Sequence, residues 1–228
     1  IVGTNFISDN FTDAVRRLDG VGISAVLSRR KETGEAFAAR SGAERVFTSL
    51  DEACAAYEEG AFDAVYIASP NALHIPQSEY FLGHGINVLC EKPMAMNTAE
   101  ALEMEECARR NGKLLMIGFV RRHGNDAATA LDFINKGYLG DIYCAKVSYL
   151  RNWFGDKSYS GGGPLIDLGV HVIDLSRYLC GNPKPVTVFG ATFSKLGARK
   201  NLKSVVLPWE STSDVKKKEY KFDVEDFV

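Results

Sequence analysis

The chain has 228 residues, 46% hydrophobic and 25% charged, with a formal net charge of −2. That is globular composition with room for one large domain or two. The charge excludes a nucleic-acid binder driven by bulk electrostatics, and the longest apolar stretch, Leu114 to Val120, is far short of the roughly 20 residues of a membrane span.

No basic segment followed by an apolar one opens the chain, so no signal peptide is read. The cysteines at 54, 90, 107, 144 and 180 are odd in number and form no C-x-x-C. Several lie in apolar runs, where Cys behaves as a small hydrophobe. The expectation is a reducing, cytoplasmic setting with no cysteine-built metal site. Ile1–Val2 reads as the end of a strand, and DVEDFV stops inside an apolar pattern, so part of a longer protein is expected.

After Val2 comes GTNFIS. In a dinucleotide turn, G-x-G-x-x-G, the first glycine makes the turn, the second lets backbone approach the pyrophosphate, and the third lets helix pack on strand. Here those places hold Gly3, Asn5 and Ser8. Asn tolerates positive φ better than most residues, and Ser is small, so the turn survives both replacements. The following helix would aim its first amides at a phosphate. Gly3, Thr4, Asn5, Phe6 and Ile7 are therefore candidate cofactor-binding residues; the competing reading is an ordinary turn that contains a glycine.

Short apolar runs then alternate with helical patterns as far as residue 120. The runs are 23–27, 62–68, 86–90 and 113–119, each nearly continuously apolar, as strands buried on both faces are. Helical spacing of Ala, Glu, Leu and Arg marks 10–18, 32–42, 50–60 and 98–112, the last with Thr98 as start and Gly112 as stop. Alternating β and α implies a doubly wound parallel sheet.

Where an NAD-binding fold places an acid for the ribose, this chain has Ser28, Arg29, Arg30 and Lys31. A hydroxyl and cations suit a 2′-phosphate, so NADP is favoured and NAD remains open. The competing reading is an exposed basic helix start, which the helix dipole opposes. Ser69, Pro70 and Asn71, with His74 just beyond, end one strand; Glu91, Lys92 and Pro93 end the next. Ligands bind at that carboxyl edge. Lys92, partly buried there, would serve as a proton relay or donor; the alternative is a surface lysine with a snorkelling stem.

Beyond 120 the texture changes. A helix (125–137), an alternating strand (141–151), the loop SGGGP (160–164), a helix (165–179) and a strand (185–194) read as α+β with an antiparallel sheet. The lysine-rich 198–221 reads as a solvated loop or hairpin. The domains are thus 1–120 and 121–228. On the later helix Asp167, His171 and Asp174 are spaced i, i+4, i+7 and share a face among apolar residues. Acid/base catalysis is the favoured reading, since His exchanges protons near neutral pH; a structural polar network and a metal site stay open. Trp153, Phe154 and Tyr159 are either a platform for a sugar ring or core packing. Arg122 and His123 are further cleft candidates.

Taken together, Glu91-Lys92-Pro93, the D-x-x-x-H of Asp167 and His171 after a glycine loop, and GFVRR (118–122) resemble the Gfo/Idh/MocA family, the relatives of glucose–fructose oxidoreductase and inositol dehydrogenase. The likeness runs from residue 1 to about 194 and weakly to 228. It implies a Rossmann domain holding NAD(P), then an α+β domain with an open, mostly antiparallel sheet whose free face often makes a dimer; a homo-oligomer, dimer or tetramer, is expected. Glu91, Pro93 and Arg122 join the cofactor-binding set. Lys92 would contact substrate and nicotinamide ribose, and Pro93 would follow a cis peptide. His171 would be the general acid/base, with Asp167 its substrate-binding partner. The reaction implied is hydride transfer between NADP and a secondary alcohol or carbonyl on a sugar, polyol or cyclic diol, with no nucleic acid, membrane or metal involved. A non-catalytic NADP-binding regulator is the alternative. Asn5 and Ser8 depart from the family's glycine or alanine, and the chain between Leu150 and Trp153 is short for its substrate loop.

Overall fold

A computed structural model describes residues 1–149, 162–194 and 228. The chain divides into two units, Ile1–Gly118 and Phe119–Val228.

The first unit alternates strand and helix. In chain order it holds α1 (Phe6–Val15), β1 (Ala25–Leu27), α2 (Lys31–Ser41), β2 (Arg45–Phe47), α3 (Leu50–Glu58), β3 (Ala64–Ile67), a 3₁₀ turn (Asn71–Leu73), α4 (His74–Gly83), β4 (Asn87–Cys90), α5 (Thr98–Asn111) and β5 (Leu115–Ile117). All ladders are parallel: β1 pairs with β2, and β3 with β4 and then β5. Val2 bridges Leu27 on one side and Ile67 on the other, which joins the two groups. Counting Val2 as the first strand, the spatial order is the 3-2-1-4-5-6 of a Rossmann sheet, with its topological switch point beside Val2.

The central strands are buried on both faces. Val65, Ile67, Val88 and Cys90 meet Ala53 and Cys54 of α3, Phe81 and Leu82 of α4, and Met104, Cys107 and Ala108 of α5. Val26 packs on Phe37 and Ala38 of α2. Phe81, Leu82 and Met104 are fully buried, each worth about 1.5–3 kcal/mol of transfer free energy. Cys54, Cys90 and Cys107 are free and buried among these apolar groups.

Local sequence explains several helix ends. Ser49 and Glu52 form a reciprocal capping box on α3. Helix α5 starts at Thr98 as expected, and Asn97 caps it, its side chain accepting from the Glu100 amide. Gly112 closes α5 in the left-handed conformation. Helix α1 starts at Phe6, four residues before the expected pattern, because Asn5 caps it. Two elements escape sequence reading. Strand β2 has only three residues at a sheet edge and stays part-exposed, so it shows no apolar run. Helix α4 begins His-Ile-Pro, and Pro76 reads as a breaker although the first turn needs no amide there.

The second unit contains a 3₁₀ turn (Val120–His123), α6 (Asn125–Asn135), a π-helical turn (Leu165–Gly169) and α7 (Val170–Leu179). The expected strands do not form among the described residues: 142–149 and 182–192 carry no regular ladder, and Tyr143, Val186, Val188 and Phe189 are exposed. Alternation specifies a strand only when another strand supplies the ladder, and 150–161 and 195–227 lie outside the described residues. Among the described residues no helix is long and apolar enough to cross a membrane.

Gly3 is the tightest point of the sheet edge. Its φ is +100°, and a Cβ there would sit 2.9 Å from the Ala68 carbonyl oxygen. Gly3→Ala is expected to destabilise the protein by about 1–3 kcal/mol, the cost of forcing a side chain into such a conformation, read as a lower urea midpoint at unchanged m-value.

Candidate functional site

Six segments leave the carboxyl edge of the first unit's sheet: the turn after Val2, Ser28–Arg30 after β1, Thr48–Ser49 after β2, Ser69–Asn71 after β3, Glu91–Pro93 after β4, and Gly118 after β5. Backbone bonds register the first of these. Gly3 N–H donates to the Leu27 carbonyl at 3.0 Å, and Ala68 N–H donates to the Val2 carbonyl at 2.9 Å.

The turn itself is closed by its own side chains. Asn5 has φ −88° and ψ −179°, extended backbone, so the positive φ expected for it is not used. It serves instead as the N-cap of α1. Its Oδ1 accepts from the amides of Ile7 (2.9 Å) and Ser8 (3.2 Å), and its Nδ2 donates to the Ala68 carbonyl at 2.6 Å. Ser8 is buried and donates to the Gly3 carbonyl at 3.0 Å. Arg40 of α2 pairs with Asp9 at 2.6 Å and reaches the Thr4 carbonyl at 3.3 Å. Arg40 is a site neighbour that sequence reading misses, because it arrives from 36 residues away.

Ser28 is buried, and its hydroxyl donates to the Arg30 carbonyl or pairs with the Thr33 hydroxyl at 2.7 Å. It shapes the loop from within. Arg29 and Arg30 are exposed, and among the described residues neither guanidinium is ion-paired.

A polar tie lies behind the two later segments. Tyr66 of β3, stacked on Phe11 with ring centroids 3.7 Å apart, donates its hydroxyl to Glu91 Oε1 at 2.6 Å. The other oxygen of Glu91 accepts from the Lys92 amide at 3.2 Å. Burial and the Glu91 charge push the Tyr66 phenol far above its ordinary pKa, so it stays a donor. His74 is fully buried, with Nδ1 2.8 Å from the Pro93 carbonyl and Nε2 3.0 Å from the Ser69 carbonyl. It joins the ends of β3 and β4. Burial lowers its pKa, outweighing both carbonyls and the Glu91 charge. Ser69 also donates to Gln77 Oε1 at 2.6 Å. The Lys92–Pro93 peptide is cis, as the resemblance implies, and Lys92 is half-buried. Tyr66, Phe11 and Gln77 carry no motif, and only the fold reveals them.

The second unit holds the rest. Asp167 lies in the π-helical turn and His171 in the first turn of α7. The His171 ring stacks near Tyr149, centroids 6.2 Å apart, and Tyr149 accepts from Arg121 Nη2 at 2.9 Å. Asp174 binds Arg122 bidentately, with Nε donating at 2.8 Å, and the guanidinium also lies over Phe119 and Tyr178. The polar stripe therefore divides: Asp174 is held in an ion pair while His171 faces Tyr149. Trp153, Phe154 and Tyr159 lie outside the described residues. Among those described, no group of three or more His, Cys, Asp or Glu is arranged to hold a metal ion. A cavity of about 560 Å³, lined by Val21, Ser24, Phe62 and Ala64 among others, lies toward the amino ends of the strands and contains none of the candidate residues.

The turn at the switch point fits a dinucleotide: its first glycine leaves no room for a Cβ, and a helix starts three residues on. Comparisons with known proteins agree. Residues 1–119 match the GFO/IDH/MocA oxidoreductase family, NAD-binding Rossmann fold, and 127–227 match the GFO/IDH/MocA C-terminal domain. The chain is 35% identical over 206 residues to the scyllo-inositol 2-dehydrogenase (NADP(+)) IolU of Bacillus subtilis, covering 85% of this chain and 61% of that protein. It is 37% identical over 146 residues to the D-glucoside 3-dehydrogenase of Escherichia coli, covering 61% of this chain and 42% of that protein. A crystal structure of an NAD binding oxidoreductase from Klebsiella pneumoniae superimposes with a TM-score of 0.67 at 28% identity, over 79% of this chain and 52% of that one. The chain thus spans less than two thirds of these proteins.

His74 makes stability pH-dependent. Its folded pKa lies below the unfolded value, so as pH falls through about 6.5 the unfolded chain takes up a proton that the folded protein resists. Stability present above that pH is lost below it. Denaturant melts at pH 7.5 and 5.5 are expected to show this loss, and His74→Gln to reduce it. His74→Ala, which leaves two buried carbonyls without the ring, is expected to cost about 2–4 kcal/mol at either pH.

Proposed function

The chain belongs to the Gfo/Idh/MocA oxidoreductase family, and from that footing we propose that it serves a dehydrogenase or reductase, NADP-preferring, which interconverts a secondary alcohol and a carbonyl on a sugar, polyol or cyclic diol. The observation that carries the reading is the gathering, at one sheet edge, of the Gly3 turn, the Ser28–Arg30 loop and the Glu91-Lys92-Pro93 segment. The names of the relatives, inositol and glucoside dehydrogenases, support the substrate class. The two exposed guanidinium groups of Arg29 and Arg30 support NADP, since a 2′-phosphate is an acceptor that arginine pairs with bidentately, as does the NADP(+) in the name of the Bacillus subtilis protein.

The nicotinamide, when bound, takes or returns the hydride. Every proton belongs to the chain's own groups. In the oxidising direction His171 accepts the hydroxyl proton and in the reducing direction returns it; an imidazole serves both because its ordinary pKa is near neutrality. Asp167 orients the substrate. Lys92 donates a hydrogen bond to the reacting oxygen, with its loop steadied by Tyr66, Glu91 and His74. Ser69, Pro70 and Asn71 line the cofactor's path beside the turn. The same reading carries a cytoplasmic homo-oligomer, dimer or tetramer. A regulator that merely binds NADP would need the turn but none of Lys92, Asp167 and His171, and the presence of all three favours catalysis.

Titration of the complete protein with NADPH and NADH, followed by nicotinamide fluorescence, is expected to give the tighter Kd for NADPH. Replacing Arg29 and Arg30 together by Ala should remove the preference while leaving NADH binding intact. His171→Asn should lower turnover on a polyol about 10²–10⁴-fold with the NADPH Kd unchanged. Tighter NADH binding overturns the NADP assignment, and binding of neither by the folded protein overturns the whole reading.

A further inference from the structure

The residue at the second glycine place of the turn is tied to helix amides that lie where a cofactor's phosphates would be met. A glycine there lets backbone approach the pyrophosphate, whose oxygens take hydrogen bonds from the first amides of the following helix. In this chain those amides are already engaged. Asn5 Oδ1 accepts from Ile7 N–H at 2.9 Å and Ser8 N–H at 3.2 Å, while Nδ2 is anchored on the Ala68 carbonyl at 2.6 Å. The side chain is fixed at both ends, from α1 to the exit of β3, across the switch point. The carbonyls of the turn are engaged as well, that of Gly3 by Ser8 Oγ and that of Thr4 by Arg40.

We propose that Asn5 is an internal competitor for the dinucleotide's pyrophosphate and the residue that sets how weakly this protein holds its cofactor. The inference rests on the dinucleotide reading of the first unit, which the family match over residues 1–119 supports. An amide oxygen stands where a phosphate oxygen would accept, and its lone pairs repel the phosphate's. Binding exchanges one acceptor for the other: the Asn5 amide leaves Ile7 N–H and Ser8 N–H, its bond to Ala68 breaks, and the pyrophosphate takes the amides. Because the pyrophosphate is common to NAD and NADP, Asn5 weakens both alike. That separates its effect from the Arg29–Arg30 preference, which acts on the 2′-phosphate alone.

The test uses the complete protein and two variants. Asn5→Gly removes the competitor and is expected to tighten both NADH and NADPH about tenfold, the scale of freeing amides for a charged acceptor, with the ratio of the two Kd values unchanged. The ligand-free variant should melt at a lower temperature than the parent, because the helix loses its cap. Asn5→Asp keeps a good cap and so holds the fold, but sets a negative charge against the pyrophosphate; both cofactors should weaken at least about tenfold. Unaltered or weaker binding in Asn5→Gly, or unaltered binding in Asn5→Asp, overturns the proposal while the parent still binds. A parent that binds neither cofactor overturns the dinucleotide reading, and this proposal with it.

Discussion

The first unit depends on the pairing of Val2. Without it the sheet is two separate ladders, β1 with β2 and β3 with β4 and β5. Val2 donates its N–H to the Tyr66 carbonyl at 2.8 Å, its carbonyl accepts from Ala68 N–H at 2.9 Å, and the neighbouring Ile1 carbonyl and Gly3 N–H bond Leu27 at 2.8 and 3.0 Å. Those four bonds align the exits of three strands, and every candidate cofactor contact in this unit hangs on one of those exits or on the next. The switch point is thus a physical seam: the chain leaves it in opposite crossover senses, and the turn of Gly3 sits in the opening.

Close approach at this seam has a cost met by local chemistry. Gly3 has no space for a Cβ because the Ala68 carbonyl is there. That carbonyl is in turn satisfied by Asn5 Nδ2, so the contact that forbids a side chain at one position recruits one two residues later. Farther along the edge, burial forces a similar economy. Glu91 reaches into the part-buried layer between strands and is met by Tyr66 and by the Lys92 amide, and His74 spans the carbonyls of Ser69 and Pro93. Polar groups in such places must be paired, and pairing them to one another fixes the loop that carries Lys92.

Much of this was legible from the chain. Continuous apolar runs marked β1, β3, β4 and β5, because strands covered on both faces cannot alternate, although each strand is shorter than its run. Gly112 and the helical spacing before it marked α5. Strand β2 was invisible because three residues at a half-exposed edge leave no pattern, and α4 because Pro76 resembles a stop. Asn5 was placed correctly in the turn but given the wrong conformation. Its tolerance of positive φ is an intrinsic property, whereas its capping role follows from where α1 and Ala68 lie. The strands expected at 141–151 and 185–194 show the opposite limit: their alternation is plain, yet among the described residues no ladder receives them.

What the sequence by itself determined is the set of chemical groups and their order along the chain: a glycine turn, a basic loop, an E-K-P segment and a D-x-x-x-H helix. Those are local, carried by residue type and spacing. What only the tertiary structure decided is which groups are occupied and by whom. Asp174 shares the helix of His171 but is held by Arg122, 52 residues away. Arg40 steadies the turn from 36 residues away, and Tyr66 holds Glu91 across 25. Hydrogen bonds and ion pairs act over about 3 Å, and only folding brings such distant residues within that range.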